Sequence, residues 1–166
     1  AVTDYNGDGL LDVYITPARN SFGRLFRLEA NGVFTETTVQ AGIGSLSTDL
    51  GALFLDIDQD GWFDLISVQE GPSMLQVYRN QGDGTFIDMT ETTGLNLTKP
   101  SFSIAAGDYD LDGDLDLFFA HWQPNQKQNR WEYLWQNQGN GTFRDVSDLA
   151  EVGRFKLGFN DQEPQF

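Results

Sequence analysis

The chain has 166 residues, with 25 acidic side chains against 10 basic ones, one histidine and no cysteine. That length accommodates one domain with a core of its own, and the missing cysteines exclude disulfides and thiol chemistry. A net charge of −15 repels phosphate backbones and argues against a nucleic-acid partner, no apolar run is long enough to cross a bilayer, and no secretory leader is legible at Ala1.

Glycine stands at 18 residues, set between short apolar runs, which points to an all-β chain. Taken from the start, a first unit (about 1–43) opens with only residues 1–3 as a truncated first strand. It continues through Asp4-Tyr-Asn-Gly-Asp-Gly-Leu-Leu-Asp12 to Asn31-Gly-Val-Phe34 and Ile43. A second unit (about 51–95) predicts strands at 53–55, 64–68, 74–78 and 86–89. Asp56-Ile-Asp-Gln-Asp-Gly-Trp-Phe-Asp64 follows its first strand, and Gly82-Asp-Gly-Thr-Phe86 makes a tight hairpin. The third (about 102–152) predicts strands at 104–106, 115–120, 133–136 and 143–146, around Asp108-Tyr-Asp-Leu-Asp-Gly-Asp-Leu-Asp116 and Gly139-Asn-Gly-Thr-Phe143. Residues 155–159 read as the first strand of a fourth, atypical unit (155–166) whose continuation from Asn160 lacks the aspartate loop. No stretch has the pattern of a long amphipathic helix.

The three aspartate segments share D-x-[DN]-x-D-G-x-x-D and start at Asp4, Asp56 and Asp108, in even step. Four-stranded units of this length have the character of propeller blades, although three are too few to close a ring. The chain is therefore expected to be part of a larger ring or a self-assembling subunit.

A hard cation such as calcium takes six to eight oxygen ligands. Side chains at loop positions 1, 3, 5 and 9 converge as the backbone curls: Asp4, Asn6, Asp8 and Asp12; Asp56, Asp58, Asp60 and Asp64; Asp108, Asp110, Asp112 and Asp116. The position-7 carbonyls of Leu10, Trp62 and Asp114 offer a further ligand, and the position-6 glycine permits the bend. Aspartate and glycine are also ordinary turn residues, so one copy would carry little weight. Three copies in register carry much more. Two carboxylates about 5 Å apart repel by roughly 3 kcal/mol at an effective dielectric near 20, so crowding them without a counter-ion is costly. Three Ca2+ sites are expected, which would add six charges and bring −15 to −9. A helix-loop-helix calcium site would need glutamate at position 12, where Ile15, Ser67 and Phe119 stand. Magnesium prefers a tighter octahedron, and transition metals prefer His or Cys ligands absent from these loops.

These loops, followed by Asn80-Gln-Gly-Asp-Gly-Thr-Phe86 and Asn137-Gln-Gly-Asn-Gly-Thr-Phe143, resemble FG-GAP/VCBS repeats, the blades of integrin-α-type β-propellers, over nearly all of residues 4–159. The version is similar to that of bacterial secreted and cartilage-acidic-protein-like chains. The resemblance implies a calcium loop between the first and second strands of each blade, with Asn6 replacing a middle aspartate. It also implies an extracellular or cell-surface setting and a role in adhesion, ligand recognition or scaffolding; some members are lectins. Three blades against the usual seven, and the loss of the loop at Asn160, depart from the pattern.

Trp122, Trp131 and Trp135 surround a polar insertion, 123–130, and form either a stacking platform for a sugar or protein ligand or packing between blades. Asn96-Leu-Thr98 and Asn140-Gly-Thr142 are glycosylation sequons, Asn96 being the better placed. His121 stands alone and reads as structural, so no enzyme is expected. The leading expectation is an extracellular calcium-binding scaffold for a protein or glycan ligand. The alternatives are a lectin or accessory module of a secreted enzyme, and a filament subunit joined by strand addition at open blade edges.

Overall fold

A computed structural model describes residues 1–16, 22–44, 48–70, 74–97, 101–121 and 132–152. Among these described residues, twelve strands form three four-stranded antiparallel sheets, each a simple meander, so the fold is all-β with propeller-type blades. The first sheet comprises β1 (Val2–Thr3), β2 (Asp12–Ile15), β3 (Arg24–Leu28) and β4 (Phe34–Glu36). The second comprises β5 (Thr48–Leu55), β6 (Asp64–Glu70), β7 (Leu75–Asn80) and β8 (Phe86–Asp88). The third comprises β9 (Ser103–Gly107), β10 (Asp116–Ala120), β11 (Glu132–Asn137) and β12 (Phe143–Asp145).

The short β1 pairs fully with β2, Val2 opposite Val13 and Thr3 opposite Asp12. The sequence places the start of the second sheet at residue 53, but β5 begins at Thr48. A bulge between Asp49 and Gly51 lets the strand pair with β6 beyond the apolar run that marks it. The single helical element among the described residues is a 3-10 turn, Thr90–Thr92.

The core lies between sheets. Alternation along β6 sends Leu65 towards the first sheet and Ile66 and Val68 towards the third. One cluster joins Tyr5, Tyr14, Leu25, Ala41 and Ile43 of the first unit to Phe54, Leu65, Tyr78 and Phe86 of the second. The other joins Leu55, Ile66, Val77 and Leu95 of the second to Leu117, Phe119, Tyr133, Trp135 and Phe143 of the third. The middle sheet is thus apolar on both faces, which explains its near-continuous apolar run.

A repeated staple fixes the spacing. The amide of Phe86 donates to the carbonyl of Ala41 at 2.8 Å, and the amide of Phe143 donates to the carbonyl of Thr93 at 2.7 Å. The residues after those carbonyls, Gly42 and Gly94, have φ of 76° and 77°. A Cβ at either would lie 2.8 or 2.9 Å from the Phe86 or Phe143 carbonyl oxygen, so close approach requires glycine there. The segment 155–166 lies outside the described residues.

Candidate metal centre

Each aspartate loop (4–12, 56–64 and 108–116) joins the first and second strands of its sheet. All three curl alike. Position 4 is left-handed in each, as Gly7, Gln59 (φ 58°) and Leu111 (φ 64°), and so is the glycine at position 6. The first aspartate holds the curl: Asp56 Oδ1 accepts from the Asp60 amide at 3.0 Å, and its Oδ2 accepts from Gly61 at 2.9 Å. Asp108 does the same with Asp112 and Gly113, and Asp4 with Asp8 and Gly9. The position-5 carboxylates of Asp8, Asp60 and Asp112 each accept from the amide two residues on.

The last aspartate is the most deeply placed. Asp12, Asp64 and Asp116 are at most 1% exposed. Each accepts from the position-2 amide with Oδ2 (Tyr5, Ile57, Tyr109) and from the end of the third strand with Oδ1 (Leu28, Asn80, Asn137), at 2.8–3.2 Å. Burial pushes all three carboxyls above the ordinary range, Asp64 to about 6, against the pull of those hydrogen bonds.

Two loops gather three carboxylates whose oxygens lie within 4.8 Å of one another: Asp56, Asp58 and Asp64, and Asp108, Asp110 and Asp116. Positions 1, 3 and 9 therefore converge, whereas Asp60 and Asp112 fall outside these triads. In the first loop Asn6 occupies position 3, its Nδ2 donating to Asp8 Oδ2 at 3.0 Å. The Asp114 side chain makes a contact of its own: its Oδ1 accepts from Gln59 Nε2 of the preceding loop at 2.7 Å.

The donor set fits a hard divalent cation. Asp58 Oδ1 is buried and has no hydrogen-bond partner among the described residues. An orphaned buried acceptor costs about 1–3 kcal/mol, and a cation held by this triad would supply the missing partner. The site also borders the next unit. Gly141 brings its backbone against the Asp58 side chain, and Gly84 does the same to Asn6, with 3.8 Å from a would-be Cβ in both cases.

Several residues at these loops escaped the sequence reading. Asn80 Nδ2 donates to the Tyr5 carbonyl at 2.8 Å and Asn137 Nδ2 to the Ile57 carbonyl at 2.9 Å, tying each turn to the loop before it. The repeated Asn-x-Gly-x-Gly motif contains both, and marks the hairpin and the family likeness without showing this tie. Arg79 Nη2 lies 2.6 Å from Asp58 Oδ2 and 3.2 Å from Asp60 Oδ2.

The aromatic platform is corrected in part. Trp135 is 5% exposed and packs beside Tyr133 in the core between the second and third sheets, so its ring cannot face a ligand. The physical reason is register: Trp135 sits opposite Leu117, on the face that meets the second sheet. Trp122 and Trp131 lie outside the described residues. His121 contacts Ser101 Oγ through Nε2 at 2.9 Å and the edge of Tyr133. Asn96 and Asn140 are exposed, and Asn140 Oδ1 accepts from Thr142.

Fold and site together define an all-β repeat protein with acidic loops whose carboxylates could hold a metal ion. The chain matches the FG-GAP-like repeat over residues 4–67 and again over 56–119, and it belongs to that family. Cartilage acidic protein 1 of Xenopus tropicalis is 30% identical over 81 residues, which are 48% of this chain and 12% of that protein. A lectin from Agrocybe aegerita, whose structure concerns recognition of non-reducing terminal N-acetylglucosamine, aligns with 20% identity and a TM-score of 0.48. The alignment covers 88% of this chain and 37% of that one. No helix among the described residues is long and apolar enough to cross a membrane.

Proposed function

We propose that this chain is an extracellular, non-enzymatic scaffold whose aspartate loops bind three calcium ions and present the blades to a protein or glycan ligand. The observation that carries the reading is the Asp56, Asp58 and Asp64 triad with its orphaned Asp58 oxygen, repeated as Asp108, Asp110 and Asp116. The first loop supplies Asp4, Asn6, Asp8 and Asp12 with the same curl, and an amide oxygen is an adequate calcium ligand. Each ion would neutralise a crowded loop and hold it against the neighbouring unit, so calcium acts on the joints between blades. The cartilage acidic protein relative and the family membership favour an extracellular setting, where calcium is plentiful.

If each site binds at about one hundredth of the ambient calcium level, each adds roughly 2.7 kcal/mol to folding. Calorimetry in calcium and in chelator tests this. A melting temperature well above the chelated value, with about three ions bound per chain, is expected; superimposable melting curves would refute the reading.

A further inference from the structure

The three loops differ in what faces them from the third strand of their own sheet. Seven residues before the hairpin phenylalanine stand Arg27, Arg79 and Gln136. Arg79 turns into its loop, one guanidinium nitrogen shared between Asp58 and Asp60. Arg27 is held on its own strand by Glu29, at 2.8 Å from Nη2 and 3.1 Å from Nε. Gln136 is neutral; its Nε2 donates to Asp110 Oδ2, while its Oε1 accepts from Arg144 Nη2 at 2.8 Å. The second loop therefore has a cation seated on a triad carboxylate, and the third has only an amide in that place.

We infer that Arg79 is a built-in counter-ion of the second loop whose charge opposes calcium there, so that the third loop fills before the second. The inference rests on the calcium reading above and deepens it. Asp58 gives Oδ2 to the guanidinium and keeps Oδ1 for a metal, but two cations sharing that carboxylate repel each other. The third loop also carries the larger negative charge, with Asp108, Asp110, Asp112, Asp114 and Asp116 together. The guanidinium additionally explains how the loop tolerates its crowded acids when calcium is scarce.

The test is isothermal titration of the whole chain with calcium chloride, on the wild type and on Arg79→Gln, Arg79→Lys and Asp110→Asn. Circular dichroism verifies folding; Arg79 is a half-exposed side chain at 42%, which Gln and Lys can replace. Removing one positive charge from a carboxylate that also faces a divalent ion is expected to tighten one site about tenfold. Arg79→Lys, which keeps the charge, should stay near wild type, and Asp110→Asn should abolish or weaken a site tighter than the one Arg79→Gln changes. Calcium binding by the wild type with an unchanged or weakened site in Arg79→Gln overturns the role of Arg79 and leaves the calcium reading standing. Loss in Asp110→Asn of a site weaker than the one Arg79→Gln changes overturns the filling order. Absence of binding in every variant overturns both readings.

Discussion

The side-chain amide of Asn137 donates to the main-chain carbonyl of Ile57, 80 residues earlier, at 2.9 Å. The same nitrogen reaches the carbonyl of Leu115 within its own loop, and Asn137 Oδ1 accepts from the Gly139 amide at 3.0 Å. One buried side chain thus closes its hairpin and joins its blade to the preceding aspartate loop. Asn80 repeats the arrangement between the second and first units, reaching Tyr5 and Phe63. In the first unit the equivalent residue is Leu28, which cannot make such a tie.

Asn137→Ala is expected to leave the Ile57 carbonyl buried without its donor, at about 1–3 kcal/mol. The melting temperature should fall by about 3–10 °C, and Asn80→Ala should cost a similar amount. Differential scanning calorimetry in saturating calcium measures both. An unchanged midpoint would show that the tie is dispensable.

The staple glycines should be far less tolerant than the loop glycines. Gly94→Ala combines a left-handed backbone with a Cβ 2.9 Å from the Phe143 carbonyl oxygen, and a loss of about 2–5 kcal/mol is expected. Gly61→Ala meets nothing within 4 Å, so it should cost only the left-handed strain, about 1–2 kcal/mol. Urea unfolding of the pair ranks them; equal losses would remove the steric argument.

In the third unit the staple glycine position holds Glu151, at φ 55°. Glu151→Gly relieves the strain of a side chain in the left-handed region but loosens the unfolded chain, and the net gain should be about 0.5–1 kcal/mol. A stability lower than wild type in the same urea assay would contradict this.

Acidity should act on the metal-free protein through Asp64. Its folded pKa of about 6 lies above the ordinary value of 3.8, because burial disfavours the charged form. Below about pH 4 the group is protonated in both states and exerts no effect. Between about pH 4 and 6 the folded state holds the proton that the unfolded state has released, so stability falls as pH rises through that window. Asp12 and Asp116 shift the same way. In chelator, this contribution lowers the melting temperature from pH 5 to pH 7. Calcium competes with the same protons, so the calcium-induced gain in melting temperature should grow over that interval. A calcium gain larger at pH 5 than at pH 7 would contradict the assignment.

Much of the site was legible in the linear pattern, and the reason is local. Asp56 caps amides only four and five residues away, and Gly61 supplies the bend, so the loop's shape is written in nine consecutive residues. The left-handed position 4 was not legible, because Gln59 and Leu111 stand where only the first loop has glycine. There the aspartate cage fixes the backbone against the residue's own preference. Nor could the pattern show that Asp64 also serves as a buried acceptor at the root of the loop, since its partner Asn80 lies sixteen residues on.

By itself the sequence determined the three-fold repeat, the four-stranded sheets, the place of each aspartate loop and the acidic character of the ligand set. All of these follow from period-two alternation and short-range turn chemistry. Only the tertiary structure decided that Arg79 turns into its loop while Arg27 turns to Glu29, that Trp135 is buried between blades, and that Asn80 and Asn137 tie each unit to the one before. Those outcomes depend on which sheet packs against which. A side chain's partner across such a contact is chosen by distance in space, to which separation along the chain is no guide.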